Sequence, residues 1–460
     1  MAHRHCNSFT RSALIRDAAA QAGQGLPAAG RGMPLPAGTG LSRRSFLMRG
    51  AGLALSVYGG SKLLDLDALQ AGVAQAAAPP DAAIVSVFLD GGIDSLSLLA
   101  PVGDPLYRKL RPRLALRGDG LTRFGGDDRL AWHPAAAGLA TLYGESKVAV
   151  LPAVGYEDPD QSHFTSRHFW EVGALNANER TGWLGRWLDR VGSPENPLQG
   201  LSLDGRLAPA LATSRMPVAS VSGPEEYRFW ARSVWGPIED RMLETIGTLG
   251  ATHADSADAA LAHAGDAAAQ SARLRTQLSP FTEEGGSITA PVAYPDGDDD
   301  FPRRLKDLAG LLAAGLPIRA VALSGAGEYD THDNQPDDFE SGLKLTADSL
   351  LAFQRDLEAR GLADRVVVHV WSEFGRRAEE NGTLGTDHGA AGVGFLIGSR
   401  VNGGMIGEFP GLSRLDSLGN LRSTCDFRAV QSALLEQWLG ADAEAIIPGA
   451  AGFRRPKVIR

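Results

Sequence analysis

The chain has 460 residues, 43% hydrophobic and 22% charged, ordinary globular values that allow a full core and exclude a disordered chain. Its formal net charge of −9 sets it against a nucleic-acid partner. The first 76 residues stand apart. Leu41-Ser42-Arg43-Arg44-Ser45-Phe46-Leu47-Met48 precedes an apolar stretch from Ala51 to Tyr58 and the small-residue site Ala74-Gln75-Ala76. This order predicts a twin-arginine signal peptide over residues 1–76, removed on export, with the translation start at Met1 or Met33. The translocase is then a transient partner, and the mature chain, 77–460, is periplasmic or secreted.

Removal of that segment takes away 8 of 45 basic and 3 of 54 acidic side chains, leaving 37 against 51. Only Cys425 survives of the two cysteines, which excludes an internal disulfide and a cysteine-based metal site. No other stretch approaches 18 uninterrupted apolar residues, so no membrane span is expected in the mature chain.

Ala83 to Leu89 is a β-branched and apolar run that predicts a central strand, ending in the turn Asp90-Gly91-Gly92-Ile93-Asp94. A helix over Pro134 to Tyr143, a strand from Val148 to Leu151 and a helix from Phe164 to Val172 follow. Between 224 and 300 the alternation weakens into an alanine-rich helical stretch, Ile238 to Leu278, and a Gly/Pro/Asp-rich loop, read as an insert or cap. Phe301 to Gly315 predicts a helix, Ile318 to Leu323 a strand, Asp337 to Arg360 a long helix and Val366 to Trp371 a strand. That β-α-β order predicts an α/β fold, a mostly parallel sheet with helices on both faces. Asp426 to Gly440 closes the chain as a helix with Gly440 as its C-cap.

Four strand ends deliver metal-type side chains: Asp90, Asp330 with His332, Glu373, and Asp387 with His388. Any one of these acids alone is an ordinary N-cap or turn residue. Gathered at the carboxyl edge of one sheet, they predict a site for one or two divalent ions (Zn, Mg, Ca or Mn), because hydrolytic two-metal centres combine carboxylates and imidazoles on ions roughly 4 Å apart.

Phe88-Leu89-Asp90-Gly91-Gly92-Ile93-Asp94, Leu151 to Tyr156, Ser162-His163-Phe164, Thr181 to Arg186, Asp330-Thr331-His332, Ser372 to Arg377 and Gly385 to Gly389 resemble, in this order, the motifs of the secreted bacterial family called domain of unknown function 1501. That family is grouped with sulfatases in the alkaline phosphatase superfamily, which implies a three-layer sandwich over one domain, 77–460. In the superfamily an Asp after the first strand and an Asp-His pair hold one metal, while an Asp and two His hold the other. Two alignments compete here. Either Thr386-Asp387-His388-Gly389 is the Asp-His-Gly element, or Ser372-Glu373-Phe374-Gly375 takes that place and His388 is the late His. The second keeps every element in order but puts Phe374 where a ligand is expected.

The same resemblance places the nucleophile at the start of a helix, where Ser162 and Thr165 sit and where Ser162 also reads as an N-cap. The spacing seen in sulfatases would put the nucleophile on Pro159, which cannot act. His163 reads as a ligand, a leaving-group partner or a buried, satisfied imidazole. Arg376 and Arg377 read as an oxyanion clamp or a solvated helix start. His369 reads as core, His133 as a cap, and Asp94 with Ser95 as support for Asp90 or a helix start; His253 and His263, in the insert, carry no assignment. The resulting expectation is a metal-dependent hydrolase of a phosphate or sulfate ester, small or polysaccharide. The alternative is a non-catalytic envelope binding protein on the same scaffold.

Overall fold

In the computed structural model, residues 57–58, 82–118, 121–224, 227, 237–281 and 288–460 are described. The twin-arginine motif and Ala74-Gln75-Ala76 lie outside them. The elements that place the site are β1 (Ala83–Phe88), α1 (Ala137–Gly144), β2 (Val148–Gly155), α2 (His163–Val172), α3 (Trp183–Val191), β3 (Gly200–Ser202), β4 (Val218–Ser220), α4 (Pro237–His253), α5 (Ala259–Leu278), α6 (Phe301–Ala313), β5 (Ala320–Ser324), α7 (Gln335–Ala359), β6 (Val366–Trp371), β7 (Arg376–Glu380), β8 (Thr386–His388), β9 (Gly392–Ile397) and α8 (Phe427–Gln437).

The main sheet runs β4-β3-β5-β1-β6-β9-β2, with Val57–Tyr58 beside β4 and both Gly404–Met405 and Cys425–Asp426 beside β2. β1 is parallel to β5 and β6, with Phe88 level with Ser324 on one side and Trp371 on the other. β9 is antiparallel to both β6 and β2, and therefore delivers its N-terminal end to the edge where the parallel strands end. One sheet edge thus collects the loops after β1, β2, β5 and β6 and the loop before β9.

All six residues of β1 and of β6 are buried, as a strand covered on both faces requires. Alternation divides them. Ile84, Phe88, Val367, Trp371 and Leu396 join Trp170, Trp183, Trp187, Phe427 and Leu434 in one core. Full burial of each such apolar side chain contributes about 1.5–3 kcal/mol. On α1, Leu139 and Leu142 are buried, and α7 packs against both α1 and α6.

By internal contacts the described residues fall into two units, one within 57–227 with 274–460 and one over 237–273. The first carries the sheet and every site residue discussed below. In the second, the alanine-rich stretch folds as α4 and most of α5, which meet through Gly247, Gly250, Gly265 and Ala268. Among the described residues no helix is long and apolar enough to cross a membrane.

A candidate metal centre at the sheet edge

Three histidines reach one carboxylate. His163 is the first residue of α2, His332 lies in the β5–α7 loop, and His388 is the last residue of β8. Their Nε2 atoms stand 3.3, 3.1 and 3.4 Å from Asp330 Oδ1. His388 Nε2 lies 2.9 Å from Nε2 of both His163 and His332. Ligand atoms of His163, Asp330 and His388 all fall within 4.8 Å of one another, a group that could hold a metal ion.

Each imidazole is held from behind. His163 Nδ1–H donates to Glu373 Oε1 at 2.6 Å, and His388 Nδ1–H donates to the Gln161 carbonyl at 2.8 Å. His332 Nδ1–H faces Asp387 Oδ1 at 3.4 Å. A ring with its proton on Nδ1 alone directs its Nε2 lone pair inward, the tautomer that metal-binding histidines adopt when a carboxylate or carbonyl backs them; with a proton on Nε2 as well, the same atom donates to Asp330 Oδ1. Two ring nitrogens at 2.9 Å need a proton or a metal ion between them. Two imidazoles, His163 and His388, and the Asp330 carboxylate, with His332 Nε2 beside them, form a donor set suited to a borderline divalent ion such as zinc, so the residues fit a metal.

Charge tells the same story. Burial raises the Asp330 carboxyl, but hydrogen bonds from His163, His332, His388 and Arg376 outweigh it and hold the group far below the usual carboxylate range. Burial lowers the His163 imidazole, yet Asp330 and Glu373 push it up to about 9. The cavity between these rings favours positive charge.

Local backbone makes this convergence possible. Gly91 has φ +104°, and a Cβ there would stand 2.3 Å from the Asp330 backbone nitrogen, so only glycine lets the β1 turn pass under the Asp330 loop. Its N–H donates to Glu373 Oε1 at 3.1 Å, and Ser372 Oγ lies 3.0 Å from Glu373 Oε2. Gln161, the residue whose carbonyl orients His388, has φ +58°, a strained value that costs about 1–3 kcal/mol for a non-glycine residue.

Several sequence expectations are relocated. Glu373 is buried, with both oxygens engaged by the protein, and stands behind His163 instead of among the converging donors. Asp387 likewise stands behind His332. Asp90 is 54% exposed and its nearest cation is Arg167, with Nη1 3.7 Å from Oδ2. Burial raises the Asp90 carboxyl and Arg167 lowers it, for a net rise. Ser162 Oγ accepts the Thr165 N–H at 3.4 Å and is the N-cap of α2. Arg376 starts a β-hairpin, not a helix, and is fully buried: it donates to the carbonyls of Gly91, Gly92, Tyr329 and Thr386 and to Asp330 Oδ1 at 2.6 Å. Its guanidinium positions Asp330 and has no face left for a phosphate or sulfate.

The remaining expectations fall as follows. His369 is buried, and His133 Nδ1 accepts the Ala135 N–H as a cap. Asp94 caps the short helix Ser95–Leu98 and pairs with the fully buried Arg111, a residue without a sequence signal. Phe374 packs against the histidines, its ring centroid 4.8 Å from His163 and 5.0 Å from His388.

Residues 154–420, more than half the chain, match the family model described as protein of unknown function DUF1501. The chain belongs to the DUF1501 family. No curated protein sequence matches it. Among solved structures, this DUF1501 chain is similar to an alkaline phosphatase superfamily protein from Vibrio parahaemolyticus, 10% identical, TM-score 0.38, covering 89% of this chain and 79% of that one. It is also similar to a protein from a Bacteroides thetaiotaomicron locus for glycosaminoglycan metabolism, 10% identical, TM-score 0.31, covering 82% and 76%. A third is the lipooligosaccharide phosphoethanolamine transferase of Neisseria meningitidis, 11% identical, TM-score 0.33, covering 98% and 66%. The mostly parallel α/β sheet with helices around it is the fold expected from the motifs.

Proposed function

We propose that this protein is an exported metal-dependent hydrolase of an anionic ester, a phosphate or sulfate, with one principal metal position held by His163, Asp330, His332 and His388. The observation that carries this reading is the inward convergence of three Nε2 atoms on Asp330, each ring fixed from behind by Glu373, Asp387 or the Gln161 carbonyl. A structural histidine cluster has no need of three such back-side partners.

A bound divalent ion would supply Lewis acidity toward the ester oxygen and lower the pKa of a coordinated water. The chain's own groups divide the remaining work. Arg376 fixes Asp330, Glu373 fixes His163, and the strained Gln161 carbonyl fixes His388. Asp90 and Asp387 lie on the exposed side and can hold or receive a proton near the centre. Export by the twin-arginine route, which delivers folded proteins, suits a site whose donors come from three separate segments of the chain.

One observation favours the second reading, a binding protein on this scaffold: Ser162 Oγ is engaged as the helix cap, and no hydrogen bond among the described residues ties it to the histidines. Metal-depleted and zinc-reconstituted mature protein assayed on aryl phosphate and aryl sulfate panels separates the two. Turnover restored by metal and unchanged in Ser162→Ala supports a hydrolase that uses no Ser162 nucleophile; no turnover in any metal-loaded sample selects the binding protein.

A further inference from the structure

The cation that receives an anionic ester remains to be found, since Arg376 is enclosed. Arg167 is one helical turn after His163 on α2, so the two side chains share a face. Its guanidinium carbon stands 4.3 Å from the centroid of the Phe88 ring, and Nε donates to the buried Glu171 at 3.2 Å. These two contacts fix the plane and rotation of the group. Nη1 lies 3.7 Å from Asp90 Oδ2, beyond hydrogen-bond reach, and among the described residues neither Nη1 nor Nη2 has a hydrogen-bond partner. The side chain is 34% exposed.

Arg167 therefore presents two parallel N–H donors beside the histidine cluster, stacked and oriented but unsatisfied. That edge matches two oxygens of a tetrahedral oxyanion, and charge-assisted bidentate pairing is what the guanidinium does better than an ammonium. We propose that Arg167 binds the phosphate or sulfate group of the substrate and sets the preference for tetrahedral oxyanion esters. The proposal deepens the hydrolase reading and rests on it for the role of substrate binding. Around the guanidinium stand Asp90 from the β1 turn and Glu171 from α2, with Glu373 and His163 close enough to act on Asp90. The arriving anion replaces the long Asp90 contact with two short bonds, while Glu171 keeps Nε.

Calorimetric titration of orthophosphate, sulfate and acetate into mature protein, with and without added zinc, tests this directly on wild type, Arg167→Met and Arg167→Lys. Metal content and melting temperature are measured on the same samples. Bonds to charged groups are worth about 1.5–3 kcal/mol, so Arg167→Met weakens phosphate or sulfate binding about 10- to 100-fold. Arg167→Lys retains part of the affinity, acetate binds worst, and zinc content is equal in all three proteins. Equal oxyanion affinity in wild type and Arg167→Met overturns the proposal, as does a wild type that takes neither oxyanion in either condition. If zinc fails to bind while oxyanion binding still depends on Arg167, the hydrolase reading falls and the anion site stands. If zinc binds but Arg167→Met changes nothing, the reverse holds.

Discussion

Two charged networks sit side by side at the sheet edge, and they are built on opposite plans. Around Asp94 everything is closed. Arg111 donates to both carboxylate oxygens, to Ser97 Oγ and to the Ala378 and Arg377 carbonyls, and Gln335 adds a further donor, with both ionic side chains at 0% exposure. Around Asp330 three Nε2 atoms crowd one carboxylate oxygen and one another on a partly exposed face, while each ring is held at its far nitrogen. The closed network holds the β7–β8 hairpin through its backbone carbonyls; the open one uses that hairpin to present His388 and Asp387. Burial of charge alone therefore does not mark a functional site here. Several ring nitrogens crowded onto one carboxylate oxygen do.

The sharpest way to break this comparison is to remove donors from the open side. Asp330→Ala combined with His388→Ala should lower metal affinity by more than about 100-fold, exceeding the outer-residue range, while the circular dichroism spectrum stays native. Arg111→Met attacks the closed side, leaving Asp94 buried and uncompensated; chemical denaturation should show a loss of about 3–5 kcal/mol. Glu373→Gln tests whether a residue one layer back matters, and competition against a chelator should show metal affinity down about 10- to 100-fold. Asp387→Asn should cost less than Glu373→Gln in the same assay, because its contact with His332 is longer and 54% exposed.

A further effect concerns pH and lies in neither network. Burial alone lowers His369 to about 3, so the folded chain keeps it neutral where the unfolded chain, with an ordinary value near 6.5, takes up a proton. Stability from this residue is intact above about 6.5 and falls as pH drops toward 3, by up to about 1.4 kcal/mol per pH unit. Denaturant midpoints followed from pH 7 to 4 should fall less steeply in His369→Leu than in wild type. Parallel curves for the two proteins contradict this.

The sheet was legible where it is buried on both faces. β1 and β6 are apolar runs interrupted only by Ser86 and His369, and α2 begins one residue before the predicted Phe164 start, at a Ser N-cap. The hairpin from Arg376 to His388 was not legible, because Arg-Arg-Ala-Glu-Glu carries no strand alternation. Its close passage depends on Gly385, where a Cβ would stand 2.3 Å from the His332 backbone. Motif spacing identified the acids and imidazoles of the site but could not order them in depth. Glu373 and Asp387 stand behind their histidines, and His163 stands in front, because depth is set by which loop crosses over which. Arg111 and Arg167 gave no sequence signal, since their roles come from packing against Asp94 and Phe88.

The central claim is a metal position shared by His163, Asp330, His332 and His388, and elemental analysis of exhaustively dialysed mature protein after zinc loading tests it most directly. The account predicts about one zinc per chain, retained through dialysis and lost in His163→Ala. No zinc retained by the wild type, or His163→Ala holding as much as the wild type, contradicts it.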